Sequence, residues 1–148
     1  MDFCVLQLSS LRIGIPMPKV REVLIRPLVS SLPLTPGHLV GLTRFRGACL
    51  PVFEVGNLLN NPADEPVTIT IRSRIVVCQD ENTLIGLQAD GVDQASVRHE
   101  DTLPCETYTS IVTRRSDLPE GQSLLMIDLS LLFNQLHTSI QLELPTHT

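Results

Sequence analysis

Gly41-Leu-Thr-Arg-Phe-Arg-Gly-Ala-Cys-Leu-Pro-Val-Phe-Glu-Val55 joins a basic turn to an apolar run. Arg44 and Arg46 flank Phe45, and Gly47 follows at once. A glycine there lets the backbone take a positive φ and turn sharply. Ala48 to Val52 then predicts a short buried strand, with Pro51 near its end. The guanidinium groups sit on a rigid corner rather than a loose loop. An arginine fork bonds carboxylates bidentately, so the corner reads either as a binding surface or as a plain strand connection.

Working outward, the chain is a series of short apolar runs cut by turns. Phe3 to Leu8 and Arg12 to Met17 predict a hairpin around Ser9-Ser10. Pro16 and Pro18 end it. In Val20 to Ile25, Val20, Val23 and Leu24 fall at a helical spacing, while Glu22 to Ile25 also suits a strand, and both readings stand. Pro27, Pro33, Pro36 and Gly37 predict a stiff extended connection, and Gly37 to Gly41 has room for a single helical turn. Asn60 to Pro66 reads as a linker. Strands are predicted over Val67–Ile71, Ile75–Cys78, Thr83–Ala89, Val92–Val97, Thr109–Arg114 and Gln122–Ile127. Asp128 is placed to cap a helix from Leu129 to about Leu136, with Leu129, Leu132, Phe133 and Leu136 on one face. Eight to ten short strands with one terminal helix indicate barrels or sandwiches, not a parallel sheet.

Composition narrows the function. Of 148 residues, 43% are apolar, only 18% are charged and 3% are aromatic, so the core is built from Val, Ile and Leu. The net charge of −5 argues against a nucleic-acid partner. Residues 1–60 carry six Lys or Arg against three Asp or Glu, while residues 61–148 carry five against thirteen. A basic front half on an acidic chain suits a face that meets an acidic partner, and scattered solvated charge is the plainer alternative. No secretory leader is visible, and no run nears the ~18 apolar residues of a membrane span, so the chain reads as cytoplasmic and not inserted in membrane.

Candidate chemistry is sparse. Cys4, Cys49 and Cys78 lie in apolar runs and read as small buried hydrophobes, while Cys105 sits in a polar setting between Pro104 and Glu106. An acidic neighbour raises a thiol pKa, which makes Cys105 a weak nucleophile. His38, His99, His137 and His147 show no HxH or HExxH spacing, so no metal site is expected. Asp90 and Asp93 flank Gly91 and read as a turn. No phosphate-cradling glycine motif occurs, and no cofactor or enzymatic activity is expected.

Taken in order, several segments resemble the CheW-like family of chemotaxis coupling proteins. Val20-Arg21-Glu22-Val23 resembles its V-x-E-[VI] segment, and Leu32 to Pro36 its next Pro-spaced loop. Gly41 to Gly47 resembles its G-x-x-N-L-R-G corner, and Leu50 to Glu54 the strand that follows. Arg74 to Val77, Gly86 to Val92 and Leu124 to Leu132 resemble its later strands and terminal helix. The resemblance implies an all-β fold: two small five-stranded SH3-like β-barrels packed together, with a short C-terminal helix. It implies one domain over residues 1–137, with approximate subdomains 1–62 and 67–137 whose strands are free to interleave, and a tail over 138–148.

The implied function is a non-enzymatic scaffold. It joins the cytoplasmic tip of chemoreceptors to the regulatory domain of a chemotaxis-type histidine kinase, in membrane-associated arrays reached through partners. Residues matching Val20, Gly41 and Arg46 lie on the family's receptor-binding side, and Glu22 matches a nearby position. The chain departs from the pattern at Arg44 (Asn in the family), Phe45 (Leu), Glu54 (Asp) and Gly56 (Arg). Phe45 is structural if it faces in and an added anchor if it faces out. Arg44 adds charge where partners are chosen, which also suits a pilus-type or other chemosensory pathway. A regulatory domain with a small ligand held between the barrels is the remaining alternative.

Overall fold

Asp2–Gln7 (β1) and Arg12–Pro16 (β2) pair antiparallel as the opening hairpin. The computed structural model describes residues 1–8, 11–25, 28–30, 39–56, 73–105, 111–117 and 123–143, with side chains up to residue 136. The strand expected over Val67–Ile71, much of the Pro-rich connection, His38 and His147 lie outside these residues. Both faces of β1 are apolar, Cys4 and Leu6 entering one cluster and Phe3 and Val5 another. A single 3-10 turn, Met17–Lys19, leads into β3 (Val20–Ile25), which settles the open choice there as a strand. A bulge between Val20 and Glu22 inserts one residue. Val20 and Val23 therefore share a face and pack on the same cluster, and their i, i+3 spacing imitates a helix.

The remaining strands are β4 (Leu39–Phe45), β5 (Ala48–Phe53), β6 (Arg74–Asp80), β7 (Thr83–Ala89), β8 (Gly91–Ser96), β9 (Leu103–Pro104), β10 (Val112–Asp117) and β11 (Ser123–Ile127). Leu39–Gly41 belongs to β4 rather than to a helical turn. The strands form two sheets, ordered β8-β1-β2-β11-β10-β9 and β3-β6-β7-β5-β4. The approximate subdomains 1–62 and 67–137 do not coincide with the two sheets, because β5 and β6, one in each, both belong to the second sheet. The opening hairpin joins the C-terminal strands instead, through antiparallel β1–β8 and parallel β2–β11 pairs.

The two sheets repeat one order of directions. β8, β1, β2, β11 and β10 are joined antiparallel, antiparallel, parallel, antiparallel. β3, β6, β7, β5 and β4 follow the same sequence. Each sheet curls around an apolar interior. Phe3, Val5, Val97, Leu124 and Met126 line the first, and Phe45, Leu50, Val52, Ile75 and Val77 the second. In the second sheet, the rung Gly41–Val52–Gly86–Val77–Glu22 runs from edge to edge. Leu42, next to Gly41, nevertheless bridges Ser30, well past Glu22 along the chain. Such a stagger is what bringing the edges of a tilted sheet together requires.

A third cluster lies between the sheets and includes Leu6, Ile15, Phe53, Val76, Leu87 and Leu125. The helix α1 (Leu129–Glu143) closes it with Leu129, Leu132, Phe133 and Leu136, the predicted face, and runs beyond the predicted end. Asp128 caps α1 by accepting the Leu131 N–H at 3.1 Å. Asp80 ties the parts together: it accepts the Lys19 ammonium at 3.1 Å and the Ser130 hydroxyl at 3.1 Å.

Candidate protein-docking site

The basic corner is the β4–β5 hairpin turn. Phe45 pairs with Ala48, leaving Arg46 and Gly47 as the two turn residues. Their φ values are 51° and 80°. Positive φ at both positions defines the turn whose twist matches paired strands, and Asn-Gly is its preferred sequence. Gly47 takes this conformation freely, with open space where a Cβ would stand. Arg46 does not, since a left-handed conformation costs an ordinary residue roughly 1–2 kcal/mol.

Arg46 has compensation. Its guanidinium lies 5.1 Å from the centroid of the Phe45 ring, a cation–π contact worth about 0.5–1 kcal/mol at an exposed site. Phe45 is only 7% exposed and belongs to the second interior. The ring faces in, so it is the shelf under Arg46 and not an outward anchor. Arg44 is exposed on the opposite face of β4 and pairs across the hairpin with Cys49. Among the described residues neither Arg44 nor Arg46 has a carboxylate within ion-pair distance.

Gly41 is needed for closeness. A Cβ there would collide with the Ser30 carbonyl oxygen, while Ser30 and Leu42 exchange backbone hydrogen bonds of 2.8 and 2.9 Å. Thr43 adds a hydroxyl bond to the Leu28 carbonyl at 2.6 Å. Gly41 is thus buried and shapes the sheet edge that carries Arg44 and Arg46.

Val20 and Glu22 stand on β3, at the other edge of the sheet. Val20 is half-buried and Glu22 exposed. Strand directions put the start of β3, the Arg46–Gly47 turn and the Glu81–Asn82 turn at the same end of the sheet. Glu22 and Gly41 occupy opposite ends of one rung. Among the described residues no hydrogen bond or ion pair links Val20 or Glu22 to the corner; what they share is the sheet end. Arg21, exposed at the β3 bulge, joins this surface and was not singled out from the sequence. Only the bulge, which depends on pairing with β6, turns it outward.

The cysteines correct two expectations. Cys49 is exposed, because its place on β5 faces outward opposite Arg44. Cys105 is buried at 9% exposure, its amide bonded to the Thr113 carbonyl, so the polar neighbours in sequence do not surround it. Burial pushes the Cys4 and Cys78 thiols up, and for Cys78 the nearby Cys4 adds to it. His99 is exposed in the 3-10 turn His99–Asp101. Among the described residues no three His, Cys, Asp or Glu side chains converge as metal ligands, and no helix is long and apolar enough to cross a membrane.

Two curled sheets sharing an apolar seam, with a terminal helix over it and a basic hairpin turn at one end, define a two-barrel β module. The model of the CheW-like domain matches residues 2–137, and the chain belongs to that family. It is 33% identical over 91 residues to Protein FrzA of Myxococcus xanthus, covering 62% of this chain and 55% of FrzA, so the chain spans about half of that relative. It is 30% identical over 119 residues to Chemotaxis protein CheW of Rhizobium meliloti (strain 1021), covering 77% of this chain and 75% of that one. Its fold is shared with the crystal structure of the scaffolding protein TtCheW from Thermoanaerobacter tengcongensis, at a TM-score of 0.73 and 20% identity over 89% of this chain and 91% of the other.

Proposed function

We propose that this chain is a non-enzymatic adaptor that couples chemoreceptors to a chemotaxis-type histidine kinase in a signalling array. Membership of the CheW-like family and likeness to a protein named for chemotaxis support the coupling role. The observation that carries the site is Arg46. It holds a left-handed backbone at a cost, keeps its guanidinium shelved on buried Phe45, and faces no counter-ion among the described residues. Strain retained at an exposed position points to function. The partner is the receptor tip: an amphipathic helix lays its apolar side along Val20 and sets an acidic residue against Arg46. Arg44, Arg21 and Glu22 tune which helix is accepted, while Gly41 and Phe45 hold the surface in shape. The kinase regulatory domain takes the remaining contact, and the array brings the chain to the membrane through these partners.

The test is gel filtration of the purified chain with a cognate receptor-tip fragment and with the kinase regulatory domain, at tens of micromolar. Co-migration with both is expected. Elution of all three as separate species would end the adaptor reading.

A further inference from the structure

The first barrel opens onto a cavity that the docking corner does not use. Its volume of about 420 Å³ falls within the roughly 300–1,000 Å³ of small-molecule sites. Phe3, Val97 and Met126, all from the barrel interior, and Leu129 at the start of α1 make its apolar wall. The Met1 ammonium, Lys19, His99, Arg114 and Asp128 bring charged or titratable groups to it. Three of these are engaged: the Met1 ammonium donates to the Val97 carbonyl at 3.0 Å, Lys19 bonds Asp80, and Asp128 caps α1. His99 is exposed.

Arg114 differs. It is half-buried, donates from Nε to the Thr102 hydroxyl and from Nη2 to the Thr102 carbonyl at 3.0 Å, and has no carboxylate within ion-pair distance among the described residues. No described group accepts from its Nη1. A guanidinium at an apolar wall whose described partners are all neutral acceptors is suited to take an anionic one. Its place in the repeat sharpens the point. The rung Arg114–Met126–Gly14–Val5 matches Gly41–Val52–Gly86–Val77 in the second sheet. Where the second sheet has a glycine pressed against a neighbouring backbone, the first has a cation beside a void.

We propose that this cavity binds a small amphipathic monocarboxylate, an aliphatic or aromatic acid. Its carboxylate meets Arg114, whose planar fork suits a bidentate pair. Its apolar body lies on Phe3, Val97 and Met126. The Asp128 carboxylate repels an anion at the α1 end and so sets the ligand's direction. The rim residue Lys19 directly precedes Val20, so the bound acid sits next to the docking strand. The proposal is independent of the docking corner.

The experiment is an amide-resolved NMR titration of the full chain with octanoate and with neutral octanamide. Saturable shifts with millimolar octanoate are expected at Val97, Thr102 and Leu129. Octanamide should bind more weakly, on the order of tenfold, because it forfeits a charge-assisted pair. Arg114→Gln should lower octanoate affinity by about the same tenfold and leave octanamide unchanged. Because Arg114 also holds Thr102, a second variant, Thr113→Trp, places an indole at the exposed mouth and should abolish the octanoate shifts. Absent or unsaturable shifts, equal binding of octanamide, or unaltered octanoate binding by Thr113→Trp would each overturn the proposal.

Discussion

The two sheets repeat one plan and use it differently. In each, a glycine on the central strand sits between two interior residues: Gly14 between Val5 and Met126, and Gly86 between Val77 and Val52. Around Gly86 the second interior is full, since a Cβ there would meet Ile75 at 2.6 Å and Leu50 at 3.2 Å. Around Gly14 the nearest atoms stand at 3.3 and 3.4 Å, on Phe3 and Leu124, and Phe3 itself lines the open cavity. A filled barrel is a rigid mount, and this one carries Arg46 on a strained turn. An open barrel can take a ligand. Strand order is thus common to both sheets, and what differs is the packing at equivalent positions.

The largest expected effect is at the shelf. Phe45→Ala should cost about 3–5 kcal/mol in denaturant unfolding, the range for a buried aromatic. Unchanged stability would mean that the ring belongs to the surface, not to the filled interior. Next come the paired glycines. Gly86→Ala should cost about 1–3 kcal/mol by overpacking, and Gly14→Ala less than about 1 kcal/mol, because the Phe3 ring has room to give. Equal losses at the two positions would break the contrast between a filled and an open barrel.

Arg46→Asn should raise stability by about 0.5–1 kcal/mol, since Asn tolerates the left-handed conformation that Arg46 holds under strain. A lowered melting temperature would show that the Phe45 contact outweighs the strain. The smallest effect is a pH dependence at the far end of β5. Burial first, and the charge of Asp90 second, push the half-buried Glu54 carboxyl above its ordinary value of 4.5. The folded chain then keeps this proton to higher pH than the unfolded chain does. The associated stability is present below pH 4.5 and lost as pH rises through the folded value. Glu54→Gln should therefore raise the melting temperature at neutral pH, with the gain shrinking toward zero as pH falls to 4.5.

Much of this was legible in the sequence. The corner, the strand after it and the apolar face of α1 follow from local chemistry: a glycine after Arg46, an apolar run at Ala48 to Val52, and a capping Asp128. The all-β class follows from the succession of short apolar runs and turns, and the two-barrel plan from the family resemblance. What stayed hidden depends on long-range pairing. Nothing local in Phe3 to Leu8 announces β8 as its neighbour, so the sequence left interleaving open without showing which strands take part. The β3 bulge exists only against β6, and it disguised a strand as a helical turn. Cys49 and Cys105 exchanged their expected environments because burial follows the sheet face, not the neighbours in sequence. Arg114 sits in an unremarkable Arg-Arg-Ser-Asp run, and only the repeat of rungs sets it against Gly41.

The central claim is that Arg46 is retained for binding and not for folding. Arg46→Asn isolates it, because it removes the guanidinium while giving the turn a residue it favours. Titrating a receptor-tip fragment into wild type and Arg46→Asn by calorimetry, alongside melting curves for both, reads the two roles separately. The expected result is an affinity loss on the order of tenfold or more with an equal or higher melting temperature. Unchanged affinity in a well-folded Arg46→Asn chain would contradict it.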